Sequence, residues 1–173
     1  LSREQCETIA SEAGCEVANV NSPAQVVLSG TVESIEKACR IVESKGDVRV
    51  IRLKVGGAFH SRLMQKARER LEAVLKDVTI HIPCCTFIPN AKAEKVSDPE
   101  EIRSLLSKQL TSPVLWVQTM AKAAEEGISV FLEIGPGRVL KGLARKSQPH
   151  FEVYACGTVQ DLEKIDELIA THK

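Results

Sequence analysis

The sequence has no excess of charge of either sign: 23 lysines and arginines balance 23 aspartates and glutamates. That balance excludes the broad basic field on which nucleic acid or an anionic membrane surface draws. No apolar run approaches membrane-spanning length. Residues 1–10, LSREQCETIA, have neither the basic start nor the apolar stretch of a secretion signal. The six cysteines, Cys6, Cys15, Cys39, Cys84, Cys85 and Cys156, contain no Cys-x-x-Cys pair, which leaves zinc and thioredoxin-type readings without support, and no metal is expected. Most of the six sit among apolar neighbours, as small buried hydrophobes do. Reduced thiols in a cytoplasmic compartment are therefore expected, an extracellular disulfide framework being the alternative. Internal repeats and low-complexity segments are also missing.

What is present suits a soluble globular chain: 43% apolar and 27% charged residues are ordinary values. A length of 173 residues allows one sizeable core, or one small domain plus part of another. Local punctuation is clear. Ser2 and Gln5 have capping-box spacing and Gly14 supplies a stop, so the pattern predicts a helix over 3–13. Residues 15–20 alternate as a strand, Asn21-Ser22-Pro23 reads as a turn, and 25–29 as a second strand. Thr31 caps a helix to about Lys45, closed by Gly46, and 48–53 follows as a strand. The order helix, strand, strand, helix, strand is a ferredoxin-like unit with its first strand missing. Such a set leaves a sheet edge or face unmatched, so the chain is expected to begin mid-domain. The alternative is a small α/β module that starts at a helix.

After a glycine corner at Gly56-Gly57, an amphipathic helix is predicted over 61–76, with Leu63, Ala67, Leu71, Val74 and Leu75 as its apolar stripe. Residues 79–86 read as extended, Pro83 marking an edge or a bend. Asp98-Pro99-Glu100-Glu101 is a strong helix start. That helix is expected to reach about Leu110, with another over 115–126. A buried strand over 128–134, a tight Gly135-Pro136-Gly137 turn, a helix over 138–146, a strand over 151–155 and a last helix opened by Thr158 and Asp161 complete the reading. Alternation of strand, turn and helix implies a parallel sheet covered by helices.

The stretch with most chemical content is Val55-Gly56-Gly57-Ala58-Phe59-His60-Ser61-Arg62-Leu63-Met64. A strand, a glycine corner and a histidine at a helix start make a place where α/β proteins build sites. Imidazole can serve there as a general base near neutral pH. On its own, a histidine in this position reads more often as a capping or packing residue than as a catalytic one.

The string G-A-F-H-S-x-L-M resembles the histidine motif of malonyl-CoA:acyl-carrier-protein transacylases and polyketide-synthase acyltransferase domains. Three further strings resemble that family in the same order. They are Asn21-Ser22-Pro23-Ala24-Gln25-Val26-Val27-Leu28-Ser29-Gly30, Lys108-Gln109-Leu110-Thr111-Ser112-Pro113-Val114-Leu115-Trp116 and Glu133-Ile134-Gly135-Pro136-Gly137-Arg138-Val139-Leu140. The resemblance implies an α/β fold in two parts: a partial ferredoxin-like subdomain over 1–54, and over 55–173 the C-terminal part of an α/β-hydrolase-like, parallel-sheet acyltransferase domain.

The resemblance further implies a ping-pong transfer of malonyl from a CoA thioester to the phosphopantetheine thiol of acyl carrier protein, through a serine served by His60. The histidine of the family is oriented by a main-chain carbonyl, and the matching position is Gln109. Asn21 lies in the segment that approaches the substrate. Phe59 beside His60 implies malonyl over methylmalonyl, because a large ring leaves no room for an added methyl; in a chain with only 3% aromatics that placement is suggestive. The Gly135-Pro136-Gly137 turn lacks both the Lys-Ser/Thr of a P-loop and the G-x-G-x-x-G spacing, which favours a structural turn over a phosphate site. Arg138, Lys141, Arg145 and Lys146 read as a solvated basic face, or as a patch for an acidic carrier protein.

The family's serine sits in a G-x-S-x-G elbow, and no such string occurs in these 173 residues. The P-G-Q-G-S-Q-like segment and the carboxylate-binding arginine of the family are missing too. The implied partners are therefore acyl carrier protein, a CoA thioester and an N-terminal half of the same enzyme, with no cofactor beyond the substrates. Without that half the chain is expected to be inactive. The other readings are a polyketide-synthase acyltransferase domain and a non-catalytic ferredoxin-like ligand-binding module.

Overall fold

The computed structural model describes residues 1–46, 48–162, 164 and 165. Helix α1 (Arg3–Ala13) opens with the capping box intact: Gln5 N–H donates to Ser2 Oγ at 3.2 Å and Ser2 N–H to Gln5 Oε1 at 2.8 Å. It stops where Gly14 turns left-handed at φ 80°, a conformation that suits glycine because it lacks Cβ. Strands β1 (Glu16–Ser22) and β2 (Gln25–Ser29) form an antiparallel hairpin, and α2 (Val32–Glu43) follows, capped by Thr31. Ile9, Ala10 and Ala13 of α1 meet Ala38 and Val42 of α2 around Cys15. Burial of Cys15 pushes its thiol up from the ordinary range. Gly30 is tightly confined, since a Cβ there would lie 2.7 Å from Cys15 Cβ.

The strand expected over 48–53 does not form. Residues 48–55 run without regular hydrogen-bonded structure; Val48 packs on the α1–α2 core, while Ile51, Leu53 and Val55 stand exposed. A strand exists only through a partner ladder, and the described residues place none beside this segment. Residues 79–86 likewise carry no ladder and bend at Cys84-Cys85.

The helix expected to start at Ser61 begins instead as a 3₁₀ turn, Arg62–Met64, before α3 (Gln65–Lys76). Of its predicted stripe Leu75 is buried, whereas Leu63 and Val74 are exposed. Helix α4 (Pro99–Lys108) starts as expected, with Asp98 accepting from Glu101 N–H at 2.7 Å and Pro99 in its first turn. Its end tightens into a second 3₁₀ turn, Gln109–Thr111, and α5 (Trp116–Glu125) follows.

Two compact units result, Leu1–Thr119 and Met120–Lys173, with the division inside α5. In the second unit β3 (Val130–Ile134) pairs in parallel with β4 (Glu152–Cys156), and α6 (Val139–Ser147) lies between them in sequence. The expected buried strand at 128–134 is thus shorter and far from buried, since Leu132 and Ile134 are exposed. A parallel strand becomes buried only when both faces are covered, and among the described residues β3 has one neighbour. The predicted last helix lies partly outside the described residues; its start, with Thr158 Oγ1 and Asp161 bonded to one another, lies within them.

Candidate active site

The corner that carries His60 is built from its glycine end. Gly56 and Gly57 let the chain bend, and the Phe59 ring folds back over Gly57, where an added Cβ would stand 3.4 Å from the ring. His60 itself takes φ 60°, a left-handed conformation that a side chain disfavours. Ser61 follows with no exposed surface, its hydroxyl donating to the Ala58 carbonyl at 2.6 Å.

From this corner His60 reaches the turn after α4. Its Nδ1 stands 2.9 Å from Gln109 O and 3.1 Å from Ser112 O. Carbonyl oxygens only accept, so Nδ1 must carry the hydrogen and donate to both. The proton assignment follows from these partners. In the neutral ring Nε2 then has the lone pair and is the proton acceptor. The ring is half-buried, so it is held without being sealed.

Two anchors set the positions of the acceptors. The first is the 3₁₀ turn at Gln109–Thr111, which Arg68 of α3 braces by donating to Thr111 Oγ1 at 3.3 Å. The second is β1: Val114 N–H donates to Ala18 O at 2.8 Å, and Val20 N–H donates to Val114 O at 2.9 Å. Pro113 has no N–H to offer between them. Arg62 adds a link from the histidine corner to the start of β1, through Gly14 O at 3.1 Å and Glu16 at 3.3 Å.

Of the residues singled out in the sequence, His60 and Gln109 meet directly. Asn21 follows Val20 on β1, where the hairpin pairing is irregular, and is half-buried. Phe59 is 52% exposed. Among the described residues no hydrogen bond joins either of them to His60. Ser112 and Ser61 carried no individual signal beyond lying inside two of the quoted strings, because a main-chain acceptor and a buried hydroxyl leave no mark on residue type.

The Gly135-Pro136-Gly137 turn is occupied internally. Glu133, only 9% exposed, accepts from Leu140 N–H and Lys141 N–H, both at 2.9 Å. Its carboxylate takes the place at the α6 N-terminus that a phosphate would need. Among the described residues no group of three or more histidine, cysteine or acidic side chains could hold a metal, and no helix is long and apolar enough to cross a membrane.

A model of the acyl transferase domain family matches residues 1–161. A malonyl CoA-acyl carrier protein transacylase of Bacillus subtilis is 38% identical over 158 residues, covering 91% of this chain and 49% of that protein. The polyketide biosynthesis protein ThaF of Burkholderia thailandensis is 37% identical over 136 residues, 79% of this chain and 12% of that protein. Among solved structures, an acyl-carrier-protein S-malonyltransferase of Bartonella henselae superimposes with a TM-score of 0.91 at 33% identity, covering 98% of this chain and 55% of that one. The chain spans about half the length of the curated relatives it matches.

Proposed function

The chain belongs to the acyl transferase domain family, and from that premise we propose that it carries the general base of a malonyl transfer from malonyl-CoA to acyl carrier protein. The observation that supports this most is the orientation of His60. Two main-chain carbonyls hold Nδ1–H, and Nε2 remains to take a proton.

In the proposed reaction the serine hydroxyl comes from residues outside these 173. His60 Nε2 takes its proton as the oxygen attacks the malonyl thioester carbonyl. The resulting imidazolium lends its proton to the departing CoA sulfur, leaving a malonyl-serine ester. In the second half, Nε2 accepts the proton of the phosphopantetheine thiol, the sulfur attacks the ester, and the serine oxygen is reprotonated. A main-chain carbonyl cannot take up the Nδ1 proton, so Gln109 and Ser112 orient the ring without entering the proton exchange. Asn21 is proposed to face the substrate and Phe59 the malonyl α-carbon. No cofactor beyond the two substrates, the malonyl-CoA thioester and the carrier-protein thiol, is called for, and the setting proposed is the cytoplasm.

Residues 1–54 are proposed as part of a ferredoxin-like subdomain, and 55–173 as part of the larger, hydrolase-like one. The exposed apolar segment over 50–55 is then a natural seat for the serine-bearing half. A polyketide pathway is the second reading, favoured by the match to a polyketide biosynthesis protein and by the fold likeness to a malonyl-transacylase solved with its type II polyketide-synthase carrier protein, TM-score 0.89 at 31% identity.

The deciding experiment incubates the chain with malonyl-CoA, alone and with a serine-bearing N-terminal half, and follows malonylation by intact-mass spectrometry. The chain alone should remain unmodified. With both halves present, carrier protein should become malonylated, and His60→Ala should slow transfer by about 10²–10⁴-fold. Malonylation of the isolated chain, or near-full activity of His60→Ala, would overturn the proposal.

A further inference from the structure

We infer that Ser61 is the positioning residue for His60: its hydroxyl clasps the corner that keeps His60 left-handed, and thereby presents Nδ1 to the Gln109 and Ser112 carbonyls. The inference deepens the reading of His60 as general base and rests on it.

The geometry is that of a clasp closed around the histidine. His60 sits at φ 60°, where Cβ crowds the backbone; a residue with a side chain stays there only when its surroundings over-determine it. Ser61 supplies bonds on both sides. Its hydroxyl proton reaches back across Phe59 and His60 to Ala58 O, 2.6 Å away. A lone pair of the same oxygen accepts the Leu63 N–H at 3.3 Å, and the Ser61 carbonyl accepts the Met64 N–H at 3.0 Å. The corner is thereby stapled to the first turn of the following helix. Release of the staple would let residue 60 relax toward ordinary backbone, and the ring would swing off its two acceptors.

The same bonds dispose of a competing idea, that the serine beside the histidine is itself the nucleophile. Ser61 has 0% exposure, and its proton is committed to a main-chain oxygen. No thioester could reach it, and the His60 Nδ1 on offer already donates elsewhere. Its hydroxyl holds the general base in place and takes no part in acyl transfer.

The test reads the imidazole directly. In the ¹⁵N-labelled 173-residue chain, long-range proton–nitrogen spectra should show His60 as a single Nδ1–H tautomer. In Ser61→Ala the two ring nitrogens should shift toward the average of both tautomers. Ser34→Ala, which removes a comparable hydroxyl bonded to Thr31 O at 2.9 Å, controls for simple destabilisation and should leave the His60 signals unchanged. Ser61→Thr keeps the hydroxyl and should keep the tautomer. If Ser61→Ala does not fold, Ser61→Cys, with its weaker donor, serves in its place.

With the serine-bearing half added, Ser61→Ala should lower the transfer rate by about tenfold or more, with KM for malonyl-CoA nearly unchanged. A folded Ser61→Ala chain with wild-type His60 signals would overturn the inference. Full activity of His60→Ala would instead overturn the reaction assigned to the site and leave the tautomer result intact, so the two failures are distinguishable.

Discussion

Val20 donates its N–H to the Val114 carbonyl at 2.9 Å, and that bond makes the N-terminal hairpin part of the histidine's support. Ser112, two residues before Val114, provides one of the two carbonyls that hold the ring. The position of Ser112 O is therefore tied to β1, and the hairpin belongs to the frame of the site.

The left-handed backbone at His60 has a measurable cost. Glycine adopts φ 60° without penalty, whereas alanine does not. His60→Gly should therefore be more stable than His60→Ala by about 1 kcal/mol. Urea denaturation of the two variants decides this. Equal midpoints with equal slopes would show that the corner is unstrained.

Phe59 is expected to limit the size of the acyl group. Phe59→Ser should raise transfer of methylmalonyl relative to malonyl by about tenfold or more, in line with the worth of one methyl in a pocket. Competition between the two CoA esters in the two-part enzyme, read by mass spectrometry of the carrier protein, measures the ratio. An unchanged ratio would detach Phe59 from specificity.

Glu133 replaces an external anion at the start of α6. Removing its carboxylate leaves two N–H groups without their acceptor, so Glu133→Ala should destabilise the fold by about 2 kcal/mol, and Glu133→Gln by about half that. Chemical denaturation measures both. If Glu133→Ala were neutral, water would be satisfying those groups equally well.

Asp161 gives a pH-dependent signature. The Thr158 hydroxyl and then the Gly157 N–H, donating to its carboxylate, hold its pKa below the ordinary value. A depressed folded-state pKa means a stabilisation fully present above the unfolded value and lost as pH falls through the folded one. Carboxyl-detected NMR titration should find Asp161 below the usual aspartate range, and Thr158→Val should bring it back upward. A titration in the ordinary range in the parent chain would contradict this.

The sequence by itself determined the elements that carry their own start and stop chemistry. Ser2 with Gln5, Thr31 and Asp98 with Pro99 mark helix starts by local hydrogen bonding, which needs no distant partner. The ordered motif strings marked the family, and with it His60 and Gln109. Only tertiary structure decided whether extended segments became strands: residues 48–53 and 25–29 both read as strands, but only the latter has a ladder partner among the described residues. Only tertiary structure, likewise, joined His60 to Ser112 across 52 positions and turned Glu133 onto the α6 N-terminus. Main-chain carbonyls and N–H groups are the same at every residue that has them, so their use in a site is a matter of where the chain goes.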